Sequence, residues 1–311
     1  MRRSRAVMRR ARSLSIRPAA LARVAVAALA ACGGPPAPRP PPGSAAAPLS
    51  LAADARMILI PAGKYIAGST PEERATAYDD YQRSAGHDAA REHAWFEREE
   101  GRRMATLPAF RIDFMPVTQV QYAEFVAAGQ APPPAIDEAA WTAQGFAQDY
   151  ETQVARYVWR DGRAPSGREE HPVVLVTWDE ARRYCEWRGR ERGEPRRLPT
   201  REEYEKAARG EAGLVYPWGN VFEADRLNSA AAGPGDTTPV GTYPAGASPH
   251  GVLDLAGNVF QWTSTRLPDG KRVVKGSAWE DHPGVGRGAS FHGRPPGARH
   301  AIVGFRCAAD A

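Results

Sequence analysis

The stretch that decides the fold lies in the last third of the chain, where residues 253–263 read LDLAGNVFQWT. Lys275-Gly276-Ser277 follows it, and Gly304-Phe305-Arg306-Cys307 stands near the end. From Tyr216 onward, glycine, proline and other turn-forming residues dominate. The sequence therefore predicts no long helix there, but loops with short strands at 240–243, 253–255 and 273–274. Such a region depends on buried aromatic residues, a disulfide or bound cations for stability.

Three helices are predicted by one repeated pattern, in which a threonine is followed three residues later by Gln or Glu. The pairs are Thr118 with Gln121, Thr177 with Glu180, and Thr200 with Glu203. In such a capping box the threonine oxygen accepts from the N3 amide, and the N3 side chain accepts from the threonine amide. We expect Gly129 and Gly210 to end the first and third helices.

Three further segments complete the domain. Residues 57–69 are interpreted as two short strands around a Pro-Ala-Gly turn. Residues 71–105 carry mixed charges and few aliphatic side chains, which predicts a solvated helix or an insertion. Residues 132–170 form a long excursion whose aromatic residues are expected to pack locally. These are Trp141, Phe146, Tyr157 and Trp159.

The N-terminus resembles an export signal. Residues 1–23 hold eight arginines and no acidic residue, and a short apolar run ends in Leu29-Ala30-Ala31-Cys32. This order is typical of a secretory signal, and the apolar run is too short to span a bilayer. Because Leu-Ala-Ala-Cys resembles a bacterial lipobox, we predict a lipoprotein signal peptide over 1–31 with Cys32 acylated. An ordinary signal peptide with an incidental cysteine is the alternative.

Removal of this signal reverses the charge of the chain. The sequence has 41 Lys+Arg and 36 Asp+Glu, and loss of eight arginines leaves 33 basic residues. A mature domain with a slight acidic excess gives no support for nucleic-acid binding, which needs a basic surface. We therefore expect no nucleic-acid partner.

The segment after the signal, residues 32–51, is rich in proline and is interpreted as a semi-extended tether that holds a domain off a membrane surface. Residues 52–311 contain no internal repeat and no second linker, so we predict a single domain. The expected localisation is that of an exported, membrane-anchored lipoprotein facing the periplasm or the cell surface.

Two cysteines remain in the domain, Cys185 and Cys307. An even number in an exported protein suggests a disulfide. Two buried free thiols are the alternative, since free cysteine is a common core residue.

Six ordered segments resemble the formylglycine-generating enzyme family, also called sulfatase-modifying factors. Besides the signature at 253–263 and its two companions, the matching segments are 57–69, 110–125, 171–187, 197–210, 216–220 and 238–241. The resemblance covers nearly the whole domain. It implies a loop-rich α+β domain with a C-type-lectin-like fold and little regular structure. It also implies a disulfide between Cys185 and Cys307, because family members pair cysteines at these two positions.

The resemblance further implies structural calcium at the signature. The Asp254 carboxylate, the main-chain oxygens of Gly257 and Val259, and the side chain of Gln261 are the implied ligands, a mixed oxygen set of the kind that calcium binds. Gln261 stands where the family has glutamate. The loss of one negative charge predicts weaker binding.

A second implied calcium site is less well matched. It uses Asn228, the carbonyl oxygen of Ser229 and Asp236, in a loop shorter than the family's. For both sites the alternative is a turn satisfied by its own hydrogen bonds.

The family's oxidases hold copper(I) between two cysteine thiolates and convert a substrate cysteine to formylglycine. In an ungapped alignment from Gly276-Ser277, those cysteines fall at Glu280 and Val285. Copper(I) prefers soft thiolate ligands, and neither a carboxylate nor an aliphatic side chain replaces them. The resemblance therefore gives the fold and argues against the family's copper chemistry.

A cleft is still expected near these positions, because Ser277 and Trp279 match pocket residues of the family. Glu280 and His282 are further pocket candidates. Oxygen and imidazole ligands for a non-haem iron site also occur in this part of the chain. They are Glu280, Asp281, His282, His292 and His300. Their spacings match no metal motif, and histidines scattered over loops are usually surface residues.

Two functions from different classes follow. The first is a membrane-anchored, non-catalytic domain that binds or scaffolds an unknown protein or peptide ligand. The second is a divergent oxygen-dependent metallo-oxidase of the same family. The missing thiols favour the first function, and the retained Gly276-Ser277 keeps the second open.

Overall fold

The computed structural model describes residues 56–146 and 148–311. The predicted signal peptide and the tether, with Cys32, lie outside the described residues. The described part contains short helices and nine short strands joined by long loops. This α+β architecture confirms the predicted fold class.

The nine strands form three small sheets. Their bounds are β1 Met57–Ile60, β2 Gly63–Ala67, β3 Arg103–Leu107, β4 Phe110–Asp113, β5 Phe260–Arg266, β6 Arg272–Lys275, β7 Phe291–Arg294, β8 Val303–Phe305 and β9 Ala308–Asp310. The orders are β1-β4-β9, β2-β3 and β7-β6-β5-β8. Within the third sheet, β5 pairs antiparallel with β6 and parallel with β8. The signature thus leads into the central strand of the largest sheet.

The predicted capping boxes all form. The helices are α1 Pro71–Ala85, α2 Ala89–Glu92, α3 Gln119–Ala127, α4 Glu138–Ala143, α5 Trp178–Arg192 and α6 Arg201–Arg209. Thr118, Thr177 and Thr200 begin α3, α5 and α6 with reciprocal cap hydrogen bonds. Gly129 follows α3 and Gly210 caps α6, both with positive φ. Within the described residues, no helix has the length and apolar character needed to cross a bilayer.

The main core packs α3 and α5 against β5 and β8. Tyr122 stacks on Tyr184 with ring centroids 5.6 Å apart, and Phe305 meets Tyr184 edge-on at 5.2 Å. Trp262 of β5 is fully buried, and its Nε1 donates to the Val176 carbonyl oxygen at 3.1 Å. Aromatic pairs contribute stability beyond the area that they bury, which a loop-rich domain needs.

A disulfide joins this core to the C-terminal segment. Cys185 of α5 and Cys307, which lies between β8 and β9, are bonded across a sequence separation of 122 residues. Both cysteines are fully buried within the main core. The predicted pairing is confirmed.

Two of the predicted strands are wrong. Residues 240–243 and 253–255 lie in loops, whereas the third prediction, 273–274, falls within β6. The first two cannot be extended strands because Gly241 and Asp254 have φ of 75° and 52°. These two residues bond each other instead, since the Gly241 amide donates to Asp254 Oδ2 at 2.8 Å.

Two other expectations need correction. Helix α1 is not simply solvated, because it buries Ala77, Tyr78 and Tyr81, and a fourth capping box at Thr70, which sequence reasoning missed, begins it. Trp159 does not pack locally. Its ring joins the main core, and its Nε1 donates to Gln119 Oε1 of α3 at 2.6 Å.

We expect the double variant Cys185→Ala/Cys307→Ala to lose about 4–5 kcal/mol of unfolding free energy, because the cross-link closes a very long loop in the unfolded chain. Urea denaturation of native and variant proteins measures this loss. Alkylation of the unfolded, unreduced native protein should leave both cysteines unmodified. Two alkylated residues in the corresponding peptides would show that no disulfide exists.

Candidate functional site

The signature loop is folded around the side chain of Arg306. This guanidinium donates to the carbonyl oxygens of Leu253 and Asp254 at 2.8 Å each, and its Nε donates to Gln261 Oε1 at 2.5 Å. Gln261 Nε2 donates in turn to the Asp254 carbonyl oxygen at 2.7 Å. The side chain of Gln261 and the carbonyl oxygen of Asp254 both belong to residues of the first predicted calcium site. Both already have hydrogen-bond partners within the protein.

The remaining predicted ligands of this site lie in the same buried turn. Asp254 and Asn258 both have positive φ, a conformation that Asp and Asn tolerate better than most residues with a Cβ. Burial raises the pKa of Asp254. Gly257 and Val259 are buried beside it. The structure thus brings the four residues of the first predicted site into one turn.

Ser277 closes this turn rather than facing an open cleft. Its Oγ accepts a hydrogen bond from the Gly257 amide at 2.8 Å, and the residue is buried. The preceding Gly276 has φ of 84°, and a Cβ there would lie 2.9 Å from the Tyr204 hydroxyl. Hydrogen bonding by Ser277 and close packing at Gly276 are therefore enough to explain this pair of residues.

The second predicted calcium group is arranged differently. The Asp236 carboxylate accepts from Tyr157 at 2.5 Å and from the guanidinium groups of Arg168 and Arg156. Although burial raises the pKa of Asp236, the hydrogen bonds from Arg168 and Tyr157 lower it to about 2. The Asp236 side chain is thus committed to these partners. Asn228 Oδ1 and Ser229 Oγ are buried without a partner among the described residues.

The two positions at which the ungapped alignment predicts the family's cysteine pair have different surroundings. Val285 is 0 % exposed and belongs to the main core. Glu280 is half-buried, and its Oε1 accepts from Gln148 Nε2 of the 132–170 excursion at 2.5 Å. Of the two residues, only Glu280 is partly exposed.

Several charged groups surround Glu280. We call Gln148, Arg156, Trp279, Glu280 and Arg294 the charged pocket. The Arg156 guanidinium lies 5.2 Å from the centre of the Trp279 ring. Burial raises the pKa of Glu280, while Gln148 and both arginines oppose the shift.

The neighbouring Asp281 is also perturbed. Its Oδ2 accepts from the Ala278 amide at 2.7 Å, and burial raises its pKa to about 7. Perturbed carboxyl groups of this kind cluster at binding and catalytic sites, although structural networks produce them as well.

Three side chains of the charged pocket carry unsatisfied polar atoms. Trp279 Nε1, Arg294 Nε and Arg156 Nε are buried without a hydrogen-bond partner among the described residues. Native proteins contain few such groups, and each calls for water or a ligand. These three donors are the unsatisfied hydrogen-bonding capacity of the charged pocket.

The three histidines have different immediate partners, although Tyr81 and Trp95 connect His282 to His292 through ring contacts. His282 Nδ1 is 3.0 Å from Ser84 Oγ, and His292 meets Trp95 and Phe260 edge-on. His300 packs against Trp141 and Phe146. Burial lowers the pKa of His292 and of His300 to about 3. In the described part of the chain, no three His, Cys, Asp or Glu side chains are grouped to hold a metal ion. The structure therefore does not assemble the predicted iron ligands.

Sequence reasoning missed two cavities along the 132–170 excursion. One has a volume of about 800 Å³ and the other about 490 Å³, and both are lined by Val158 and Arg160. The mixture of small aliphatic residues and arginines over 155–166 was the available signal.

The family model described as the sulfatase-modifying factor enzyme 1-like domain matches residues 45–311. The chain belongs to the formylglycine-generating enzyme family. The match covers every predicted site residue of the domain.

Curated members of the formylglycine-generating enzyme family are similar over different shares of the chain. A mouse protein named inactive C-alpha-formylglycine-generating enzyme 2 is 32% identical over 305 residues, covering 85% of this chain and 88% of that protein. Its bovine counterpart is 38% identical over 184 residues, and the match spans only 58% of that protein. Hercynine oxygenase of Mycolicibacterium smegmatis is 29% identical over 72% of this chain and 58% of its own length.

A solved structure confirms the fold of the family. PvdO from Pseudomonas aeruginosa superimposes with a TM-score of 0.61 at 20% identity, over 82% of this chain and 94% of its own. At this identity the similarity establishes the fold alone.

The residues fit the family's calcium poorly. An ion at Gln261 Oε1 would lie beside the guanidinium of Arg306, and cations that close repel each other. Asp254 supplies the only carboxylate of the first predicted site. At the second site, Asp236 is held by two arginines. Calcium binding stays a prediction, and we expect it to be weak at best.

A matched pair of variants tests the calcium prediction. A ligand that binds only the native state raises the melting temperature. We expect calcium to give a small rise in the native protein, a larger one in Gln261→Glu, which restores the family's negative charge, and none in Asp254→Ala. Thermal denaturation with calcium or with chelator measures each response. If even Gln261→Glu does not respond, the turn is held by Arg306 and not by calcium.

Proposed function

We propose that this chain is a membrane-anchored, non-catalytic member of the formylglycine-generating enzyme family, acting as a binding or scaffolding domain. The observation that carries the proposal is the environment of Val285. Val285 is a fully buried aliphatic side chain, and the ungapped alignment from Gly276-Ser277 places one of the family's copper-binding cysteines at this position. No metal or substrate thiol can be held from that position.

The second cysteine position supports the same proposal. Glu280 is bonded to Gln148, and burial raises the pKa of its carboxyl. A hard carboxylate is a poor ligand for copper(I). The mouse and bovine relatives are themselves named as inactive members, which is compatible with a family branch that kept the fold without the chemistry.

We expect the purified full chain, supplied with copper(I), to form no formylglycine in a peptide carrying a sulfatase-type cysteine motif. The reason is that the reaction needs two thiolates, and the described domain's two cysteines are bonded to each other. Mass spectrometry of the peptide measures the product, with a copper-loaded active family member as positive control. Formylglycine above the level of a protein-free sample would overturn the non-catalytic proposal.

The membrane anchor is the second part of the proposal. It rests on the arginine-rich N-terminus, the Leu-Ala-Ala-Cys sequence and the proline-rich tether. We propose that Cys32 becomes the acylated N-terminus and that the domain faces the periplasm or the cell surface. Several acyl chains anchor a protein stably, whereas one binds marginally.

We expect the native chain, expressed in a bacterium, to sediment with membranes and Cys32→Ser to move to the soluble fraction. Arg83→Gln serves as the control, because it replaces an exposed side chain and leaves both Cys32 and the Cys185–Cys307 disulfide intact. Quantitative immunoblotting of both fractions measures the partition. Equal partition of native and Cys32→Ser proteins would contradict the anchor.

One observation favours a divergent oxidase as the second candidate. The charged pocket holds three unsatisfied donors beside two carboxyl groups whose pKa burial raises. A relative named hercynine oxygenase shares the domain. Oxygen consumption by the full chain with iron(II) supplied, together with metal analysis of protein purified without chelator, separates this candidate from the first.

A further inference from the structure

The strongest feature outside the family's pocket is a groove along the 132–170 excursion. Its two cavities, of about 800 and 490 Å³, share Val158 and Arg160 as lining residues. Each volume falls within the range of protein ligand sites. Because Val158 and Arg160 line both cavities, the cavities are neighbours, and we refer to them together as one groove with two lobes.

The larger lobe is mainly apolar. Its walls come from α4 and its flanks, and they include Ala135, Ile136, Ala140, Tyr150 and Val158. The hydroxyl of Tyr150 donates to the Ile136 carbonyl oxygen at 2.8 Å, so the polar end of this ring is satisfied and its face remains as lining. Such a surface suits aliphatic side chains of a ligand.

The smaller lobe and the shared rim are basic. Arg160 and Arg163 form a tight turn in which their main chains exchange hydrogen bonds of 3.2 and 2.9 Å. The turn residues Asp161 and Gly162 both have positive φ, which fixes the geometry. Both arginines are exposed, and neither guanidinium has a hydrogen-bond or ion-pair partner among the described residues.

The other two arginines of the groove are already paired with acidic residues. Arg299 donates to Glu180 at 2.6 Å, and Arg156 pairs with Asp236 at 3.2 Å. The only acidic lining residue, Asp137, accepts from the Ala140 amide at 2.7 Å as the N-cap of α4. Arg160 and Arg163 thus carry two unpaired positive charges against the one negative charge of Asp137, which leaves the groove with a net preference for anions.

We infer that this groove binds an extended peptide whose acidic side chains meet Arg160 and Arg163 and whose aliphatic side chains enter the lobe lined by Ile136 and Ala140. A small dicarboxylate would engage the arginines and leave the apolar lobe empty. A peptide with both kinds of side chain satisfies both lobes. This inference rests on the proposed binding role and supplies the location and the chemistry of the ligand.

Three dodecamer peptides labelled with fluorescein test the inference. They repeat Glu-Leu-Glu-Ala, Gln-Leu-Gln-Ala or Lys-Leu-Lys-Ala three times, and fluorescence anisotropy with the purified full chain in detergent gives the affinities. We expect the acidic peptide to bind at least about tenfold more tightly than the neutral one, and the basic one not to bind. Affinity for the acidic peptide should fall with salt, because exposed charges are screened.

Two variants locate the site. Arg160→Gln/Arg163→Gln should weaken acidic-peptide binding about fivefold to tenfold, since each exposed ion pair contributes modestly. Ala140→Trp should weaken it by filling the apolar lobe. The control is Arg83→Gln/Arg98→Gln, which removes the same charge from side chains 72% and 62% exposed and not part of the groove. We expect native affinity in this control.

Several results would overturn the inference. They are the absence of binding by the acidic peptide, equal loss in the control variant, and unchanged affinity in both groove variants. Heparin that binds with the same dependence on Arg160 and Arg163 and displaces the peptide would assign the groove to a polyanionic sugar. Failure of peptide binding leaves the non-catalytic role standing. Oxidation of a cysteine peptide by a chain that binds the acidic peptide would overturn that role alone.

Discussion

One buried guanidinium holds the irregular half of this domain together. Arg306 bonds the carbonyl oxygens of Leu253 and Asp254 and the side chain of Gln261, and it also donates to the Asp113 carbonyl oxygen of β4 at 3.0 Å. It thereby links the first sheet, the signature turn and the central strand of the third sheet. Buried carbonyl groups without partners are costly, so a rigid fork of donors substitutes for the missing sheet hydrogen bonds.

Buried arginines bond main-chain carbonyl oxygens elsewhere in the domain as well. Arg209 of α6 is buried and donates to the carbonyl oxygens of Gly68, Gly213 and Leu214 as well as to Glu205. Arg287 and Glu99 form a fully buried pair. Removing one partner from such a pair leaves an uncompensated charge, so these arginines specify how the loops are arranged. Arg306 bonds main-chain oxygens in the same turn where the family resemblance predicts calcium, and calcium binding there stays a prediction.

The sequence predicted the parts of the fold that depend on local chemistry or on the family resemblance. The boxes at Thr118, Thr177 and Thr200 are local hydrogen-bond patterns, and the Cys185–Cys307 pairing followed from the resemblance. The false strand at 253–255 arose because apolar alternation gives no sign of a positive φ at Asp254. The pairing of Asp236 with Tyr157, Arg156 and Arg168, and the groove beside Val158, depend on how a long excursion folds back. No local sequence pattern predicts how the 132–170 excursion folds back.

The first sheet has a consequence for how the chain acquires its structure. Strand β4 near the N-terminal side of the domain lies between β1 and β9, and Ala308 also bridges to Arg197. Strand β8 is the parallel neighbour of β5. The first and largest sheets therefore stay incomplete until residues 303–310 have been synthesised. Pairings between such distant segments slow folding, and a nascent chain of this topology stays open and accessible to chaperones until its final strands arrive.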